Sequence, residues 1–127
     1  MRGVTYDTGA LLAAERNDRR MWALHAGFLE EDVVPTVPAP VLAQAWRGGA
    51  RHANLSRLLA LCEIEAMTEE QARAIGRLAR RSRHDDIVDL AVVEGAVRRK
   101  DGIATSDPKD LGQIVAALGE HVSIEAV

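Results

Sequence analysis

The stretch "DLAVVEGAVRRKDGIATSD", residues 89–107, reads as a helix followed by a strand. It begins with an aspartate, continues through small and aliphatic residues at helical spacing, and passes a glycine into the β-like run "GIATSD". Short β-like runs alternate with helical stretches elsewhere in the chain: "GVTY", "VVPTVP", "EIEAM" and "HVSIEAV". Short strands separated by helices favour parallel pairing with right-handed crossovers. They predict an α/β fold, a three-layer α/β/α sandwich around a small, mainly parallel sheet.

The composition is that of a chain that forms one globular unit. With 127 residues, of which 47% are hydrophobic, the sequence predicts a single domain spanning residues 1–127. The net charge of -3 argues against nucleic-acid binding by bulk charge, so contact with a polyanion must be local or bridged by metal. Cys62, the only cysteine, cannot form an internal disulfide, and no stretch resembles a membrane span or a signal peptide. We expect a cytoplasmic protein with no membrane partner.

Local signals in the middle of the chain predict individual elements. Thr68 and Gln71 have the spacing of a capping box, which predicts a helix that begins there and continues to about residue 81. The run "EIEAM" alternates as a strand does and predicts that Ile64 faces inward. Trp46 is expected in the core or in a dimer contact, because the few aromatic residues are too scattered to form a base-stacking platform.

Three aspartates are expected to meet at one edge of the sheet. Asp7 follows the first strand and Asp107 follows the "GIATS" strand, and the carboxyl ends of parallel strands share an edge where ligands collect. Asp89 lies near the start of a helix that would pack beside them. Converging carboxylates repel one another unless a divalent cation screens them, and oxygen ligands favour magnesium or manganese. Each acid taken alone also suits a helix N-terminus, so a purely structural role stays open.

The acids and their sequence context resemble a known family. "YDTGALLA" near the start, "DLAVVEGAVRRKDGIATSD" near the end and a helix-rich middle together resemble the PIN-domain nucleases, most closely toxins of the VapC type. That family has an aspartate followed by Thr or Ser after the first strand, a later aspartate that opens a helix of small residues, and a strand that ends in Thr-x-Asp. The order and spacing of these motifs match over nearly the whole chain.

The resemblance implies a PIN-like fold and an RNA-cleaving site. It places Asp7, Asp89 and Asp107 as catalytic metal ligands for Mg²⁺ or Mn²⁺, with Thr8 or Thr105 beside them to contact substrate. The implied reaction is metal-assisted hydrolysis of RNA phosphodiester bonds that leaves a 5'-phosphate and a 3'-hydroxyl. The implied partners are the RNA substrate, a cognate VapB-type antitoxin that holds the enzyme inactive, and a second copy of the chain in a homodimer.

Gln44 departs from the family pattern. Where the family has a glutamate, this chain reads "VLAQAWRGG", so the site has one carboxylate fewer. Asp86 lies one helical turn before Asp89 and is a candidate for the missing catalytic and metal-binding carboxylate, while Ile87 and the aliphatic residues after it would anchor the helix. Two alternatives stay open: Asp86 caps the helix and Gln44 only positions water or RNA, or the chain is a catalytically weakened module that binds RNA or protein.

Two arginines are candidates for substrate binding. Arg47 follows Gln44 by one turn, and Arg81 belongs to an arginine cluster just before the acidic segment, so either side chain could contact phosphates that flank the scissile bond. The alternative for Arg81 is a solvated helix face that complements the helix dipole. His84 lies close to the acids in sequence, and a surface or capping role is favoured for it.

Overall fold

The computed structural model describes residues 3–127, and its elements follow the predicted order. The strands in this range are β1 (Val4–Tyr6), β2 (Thr36–Pro38), β3 (Glu63–Glu65), β4 (Gly102–Thr105) and β5 (Ile124–Ala126). The α-helices are α1 (Thr8–Glu15), α2 (Arg19–Glu30), α3 (Ala39–Ala45), α4 (Ala53–Leu59), α5 (Glu69–Ser82), α6 (Ile87–Arg99) and α7 (Pro108–Leu118). A 3₁₀ turn, Ala50–His52, precedes α4.

The five strands form one sheet in the order β3-β2-β1-β4-β5, and every pairing is parallel. β1 lies in the centre, with Thr5 in register with Thr36 on one side and with Ile103 on the other. The predicted mainly parallel sheet is therefore confirmed and is entirely parallel. Because the first strand along the chain is central, its carboxyl end lies beside those of β2 and β4, where the first turns of α1, α3 and α7 also lie.

Alternating side chains of β1 show that helices cover both faces of the sheet. The Tyr6 hydroxyl lies 2.9 Å from Nδ1 of His25 on α2, and the Tyr6 ring also packs against Phe28 of the same helix. Thr5 faces the opposite side, where its hydroxyl accepts a hydrogen bond of 2.8 Å from Arg99 on α6. Successive side chains of a strand point to opposite faces, so α2 and α6 belong to different layers and the predicted three-layer sandwich is confirmed.

Side-chain caps define several helix starts. Asp7 caps α1, Asp86 caps α6 and Asp107 caps α7, each by accepting a hydrogen bond from a backbone amide in the first turn. The Thr68 and Gln71 capping box at α5 is complete, since each side chain bonds the other residue's backbone amide, and the predicted helix start is confirmed.

Three apolar residues are more exposed than the sequence predicted. Ile64 is 40% exposed because β3 is an edge strand, and Ile87 is 51% exposed as the first residue of α6. The prediction that both are buried is wrong. Trp46 is 41% exposed just after α3, so it is not a core residue. Within residues 3–127 no helix has both the length and the apolar character to cross a membrane.

Candidate active site

Asp7 is a buried carboxylate at the carboxyl end of the central strand. It is 5% exposed, its backbone N–H donates to the Ala104 carbonyl across 3.1 Å, and its Oδ1 accepts from the Ala10 amide across 2.8 Å. Its Oδ2 accepts a hydrogen bond from the Thr105 hydroxyl. Burial raises the pKa of Asp7, the hydrogen bonds from Thr105 and the backbone oppose this effect, and the nearby Asp107 carboxylate raises the pKa further.

Thr105 joins Asp7 to the turn that carries Asp107. The Thr105 hydroxyl donates to Asp7 and accepts a hydrogen bond of 2.8 Å from the Asp107 backbone amide. Asp107 is exposed and caps α7. Gly9 lies against the same turn, because a Cβ at Gly9 would stand only 1.7 Å from the Ser106 hydroxyl oxygen. The absence of a side chain at Gly9 therefore lets the start of α1 approach the end of β4.

Asp89 lies in the first turn of α6 and is held by a histidine. Its Oδ2 is 3.3 Å from Nε2 of His84, and both side chains are about four-fifths buried. Burial raises the pKa of Asp89, Asp86 raises it further, His84 lowers it, and Asp107 has a smaller raising effect. Oδ1 of Asp86 accepts hydrogen bonds from the amides of Val88 and Asp89, so Asp86 is the helix cap.

The predicted metal-binding acids are electrostatic neighbours. Asp107 raises the pKa of both Asp7 and Asp89, which places the three carboxylates in one electrostatic environment. Within residues 3–127, however, no three His, Cys, Asp or Glu side chains are gathered closely enough to hold an ion as they stand. Each of two acids is held by its own neighbour instead: Thr105 donates a hydrogen bond to Asp7, and His84 contacts Asp89.

The donor chemistry of this edge fits a hard divalent cation. Every carboxylate and hydroxyl that borders it supplies oxygen, which Mg²⁺ and Mn²⁺ prefer over nitrogen or sulfur. Asp107 is exposed, and about a fifth of the Asp89 side chain is open to solvent, so both carboxylates are accessible to an ion from solvent. The residues present therefore fit the metal ion that the sequence predicts.

Gln44 reaches the same edge from α3. Its side-chain carbonyl oxygen accepts a hydrogen bond of 2.5 Å from the hydroxyl of Thr8, the first residue of α1. The amide nitrogen of Gln44 makes no hydrogen bond within residues 3–127 and is exposed. Gln44 therefore presents hydrogen-bond donors, not a negative charge, at the site.

The two predicted substrate-binding arginines differ in how they are held. Arg47 follows α3, and its guanidinium donates to the carbonyls of Ala43 at 3.2 Å and Trp46 at 2.7 Å. Arg81 is exposed in the last turn of α5, and within the described part of the chain it forms no ion pair. Three contacts were not predicted from the sequence: the Gly9 contact with Ser106, the approach of His84 to Asp89, and a hydrogen bond from the backbone N–H of Arg47 to Nε2 of His52.

Chains in solved structures share this fold. Over 98% of this chain and 98% of its counterpart, it is similar to a chain in the crystal structure of VapBC2 from Rickettsia felis bound to a DNA fragment from their promoter, with a TM-score of 0.74 and 14% identity. The chain has the PIN-like fold. It is also similar to a chain in the structure of FitAB bound to the IR36 DNA fragment, with a TM-score of 0.65 and 17% identity over 97% of this chain and 94% of that one. No protein-family model matches the sequence, and no curated protein matches it.

Proposed function

We propose that this PIN-like chain is a Mg²⁺- or Mn²⁺-dependent endoribonuclease and the toxin of a type II toxin-antitoxin pair, of the VapC type. The observation that carries the proposal is the buried Asp7 at the carboxyl end of the central strand, joined through Thr105 to the turn of Asp107, with Asp107 raising the pKa of both Asp7 and Asp89. The fold shared with chains of VapBC2 and FitAB supports a toxin with a cognate VapB-type antitoxin. A cytoplasmic homodimer is part of the same proposal.

The three aspartates would hold the metal, with Asp7 as the fixed member. Bound there, Mg²⁺ or Mn²⁺ would lower the pKa of a water molecule and offset negative charge on the RNA phosphate. Thr105 keeps Asp7 in one orientation and is joined to Asp107, so it sets the spacing of two ligands. Asp86 retains one oxygen that the helix cap does not use, and this oxygen would complete the metal site.

The neutral and cationic residues around the acids would hold the RNA. Thr8 and Gln44 lie hydrogen-bonded to each other beside Asp7, and the amide N–H groups of Gln44 suit phosphate oxygens. Arg47 and Arg81 would bind phosphates on either side of the scissile bond. Because the attacking oxygen comes from water, no 2',3'-cyclic phosphate forms. With the 3'-oxygen of the upstream nucleotide as the leaving group, the expected products carry a 5'-phosphate and a 3'-hydroxyl.

A second candidate function is a PIN-like module that binds RNA or protein with little or no catalysis. Gln44 supports this alternative, because it brings no negative charge to the site. The separate anchoring of Asp7 and Asp89 supports it too, since no group of three acids within residues 3–127 is already gathered around a metal position.

Metal-dependent cleavage distinguishes the two candidates. Purified chain, freed of antitoxin, would be incubated with a mixed cellular RNA pool in Mg²⁺, in Mn²⁺ and in EDTA, beside the Asp7→Asn variant. Discrete cleavage with either metal, absent in EDTA and in Asp7→Asn, supports the nuclease. RNA binding without cleavage by the parent protein, together with cleavage by Gln44→Glu, favours the binding module.

A further inference from the structure

His52 is a buried histidine outside the acidic cluster. It is 2% exposed and lies between the end of α1 and the turn that follows α3. Its Nε2 accepts a hydrogen bond of 2.8 Å from the backbone N–H of Arg47. A buried polar group of this kind is kept where it completes a specific contact, because burial without a partner is costly. The contact here holds the backbone of a residue that we propose binds RNA.

The hydrogen bond determines which ring nitrogen of His52 carries the proton. Nε2 accepts from a backbone N–H, so in this arrangement it has no proton of its own and the neutral ring is protonated on Nδ1. Oε1 of Glu15 lies 2.6 Å from Nδ1, although it is off the line of a straight hydrogen bond. The Glu15 carboxylate therefore favours the same tautomer and connects the turn to the last residue of α1.

Trp46 and two glycines complete the turn. The Trp46 ring stacks on the His52 ring, with 5.0 Å between centroids and 21° between planes. Gly48 and Gly49 have φ values of 78° and 92°, which let the chain reverse so that His52 comes back beneath Trp46. Because of this reversal, the residue that accepts from Arg47 lies only five positions after it.

We infer that His52 is a positioning residue for RNA binding: by holding the Arg47 backbone, it directs the Arg47 guanidinium along the edge of the acidic site. α3 is joined to the first residue of α1 through the Gln44 and Thr8 contact, and its following turn is joined to the last residue of α1 through His52 and Glu15. The guanidinium uses one nitrogen for backbone carbonyls, and its remaining N–H groups are available to a phosphate. This inference rests on the proposed function.

A matched pair of substitutions tests the role of the Nε2 acceptor. Both His52→Gln and His52→Leu remove the ring that stacks on Trp46, but only Gln keeps an acceptor near the position of Nε2. We expect His52→Leu to raise the KM for RNA about fivefold over His52→Gln, with kcat within about twofold, because an RNA contact is lost while the acids are unchanged. In the Arg47→Ala background the two His52 variants should give equal KM values, since the guanidinium through which His52 acts is missing.

A spectroscopic measurement tests the contact without any activity. In the parent protein, ¹⁵N NMR of the His52 ring should show a protonated Nδ1 and an unprotonated Nε2. The backbone amide hydrogen of Arg47 should exchange slowly with solvent. That amide should exchange at least about tenfold faster in His52→Leu than in His52→Gln. Glu30→Ala on α2 serves as a control substitution at an exposed acid.

Two results would overturn the inference. One is an equal KM for the Gln and Leu variants, and the other is an effect of His52→Leu that persists in the Arg47→Ala background. A parent protein that binds no RNA overturns the proposed function together with this inference. The NMR measurement then shows separately whether the His52 contact exists.

Discussion

Thr8 donates a hydrogen bond of 2.5 Å to the side-chain carbonyl oxygen of Gln44, and this contact joins the start of α1 to α3 beside the buried Asp7. A carboxylate at position 44 could accept the same hydrogen bond from Thr8. A glutamate could therefore replace Gln44 without losing the contact with Thr8, and it would add the negative charge that Gln44 lacks.

Gln44→Glu should strengthen metal binding. A further carboxylate raises the charge of an oxygen-ligand site, so we expect Mn²⁺ affinity about tenfold higher than in the parent, as measured by calorimetry. Gln44→Ala, which removes the side-chain amide without adding charge, should leave metal affinity within about twofold of the parent value. Equal Mn²⁺ affinity in the Glu variant and the parent would show that position 44 does not border the metal.

Asp7→Asn should stabilise the metal-free fold while it abolishes cleavage. Burial holds the pKa of Asp7 above its ordinary value of 3.8, so the folded protein binds the proton more tightly than the unfolded chain does. At a pH below the pKa of Asp7 in both the folded and the unfolded state, Asp7 therefore costs no free energy of unfolding. The cost grows as pH rises through the pKa of the folded state. We expect Asn to add on the order of 1 kcal/mol at pH 7 and little at pH 3, as measured by urea unfolding.

Metal addition provides the control for that substitution. Saturating Mn²⁺ should raise the midpoint of thermal unfolding of the parent, because it binds the folded state, and should leave Asp7→Asn unchanged. A variant that is less stable than the parent at pH 7 without metal would contradict the prediction.

Glu65→Gln should lower stability at neutral pH and lose this effect in acid. Burial alone would raise the pKa of Glu65, but hydrogen bonds from Arg98, Arg99 and Gln71 outweigh it and lower the pKa to about 2. A lowered carboxylate pKa stabilises the fold above the unfolded value of 4.5, and that contribution disappears as pH falls toward about 2.

The expected loss on Glu65→Gln is on the order of 2 kcal/mol at pH 7 by urea unfolding, and it should become small by about pH 2. Glu63→Gln is the matched control, because Glu63 lies on the same strand and is exposed, and its side chain makes no ion pair within the described residues. Similar losses for both variants would show that the arginine contacts contribute nothing specific.

Gly9→Ala should disturb the spacing between Asp7 and Asp107. The new Cβ would stand 1.7 Å from the Ser106 hydroxyl oxygen and 2.4 Å from Ser106 Cβ, so the turn before α7 must move. We expect a loss of about 2 kcal/mol in unfolding free energy and reduced cleavage. Adding Ser106→Gly removes both clashing atoms and should restore most of each loss. If the double variant is no more stable and no more active than Gly9→Ala alone, the losses do not come from the contact with Ser106.

Much of the fold was predictable because its signals are local. The Thr68 and Gln71 box, the aspartate caps and the succession of strands and helices along the chain all depend on residues a few positions apart, and the structure agrees with each. The exposure of Ile64 was not predictable from alternation, since the same pattern suits a central or an edge strand. The catalytic roles of the acids stay predictions.

The sequence by itself determined which side chains are available: three aspartates at the ends of strands or starts of helices, and a glutamine where the resembling family has a glutamate. Only the tertiary structure decided which of them meet. Thr105 contacts Asp7 from 98 residues away because β4 pairs with β1 in parallel, and the close approach of Gly9 to Ser106 follows from the same pairing. Local periodicity specifies where an element begins and which face is apolar, whereas contacts between distant segments depend on how the crossovers order the strands.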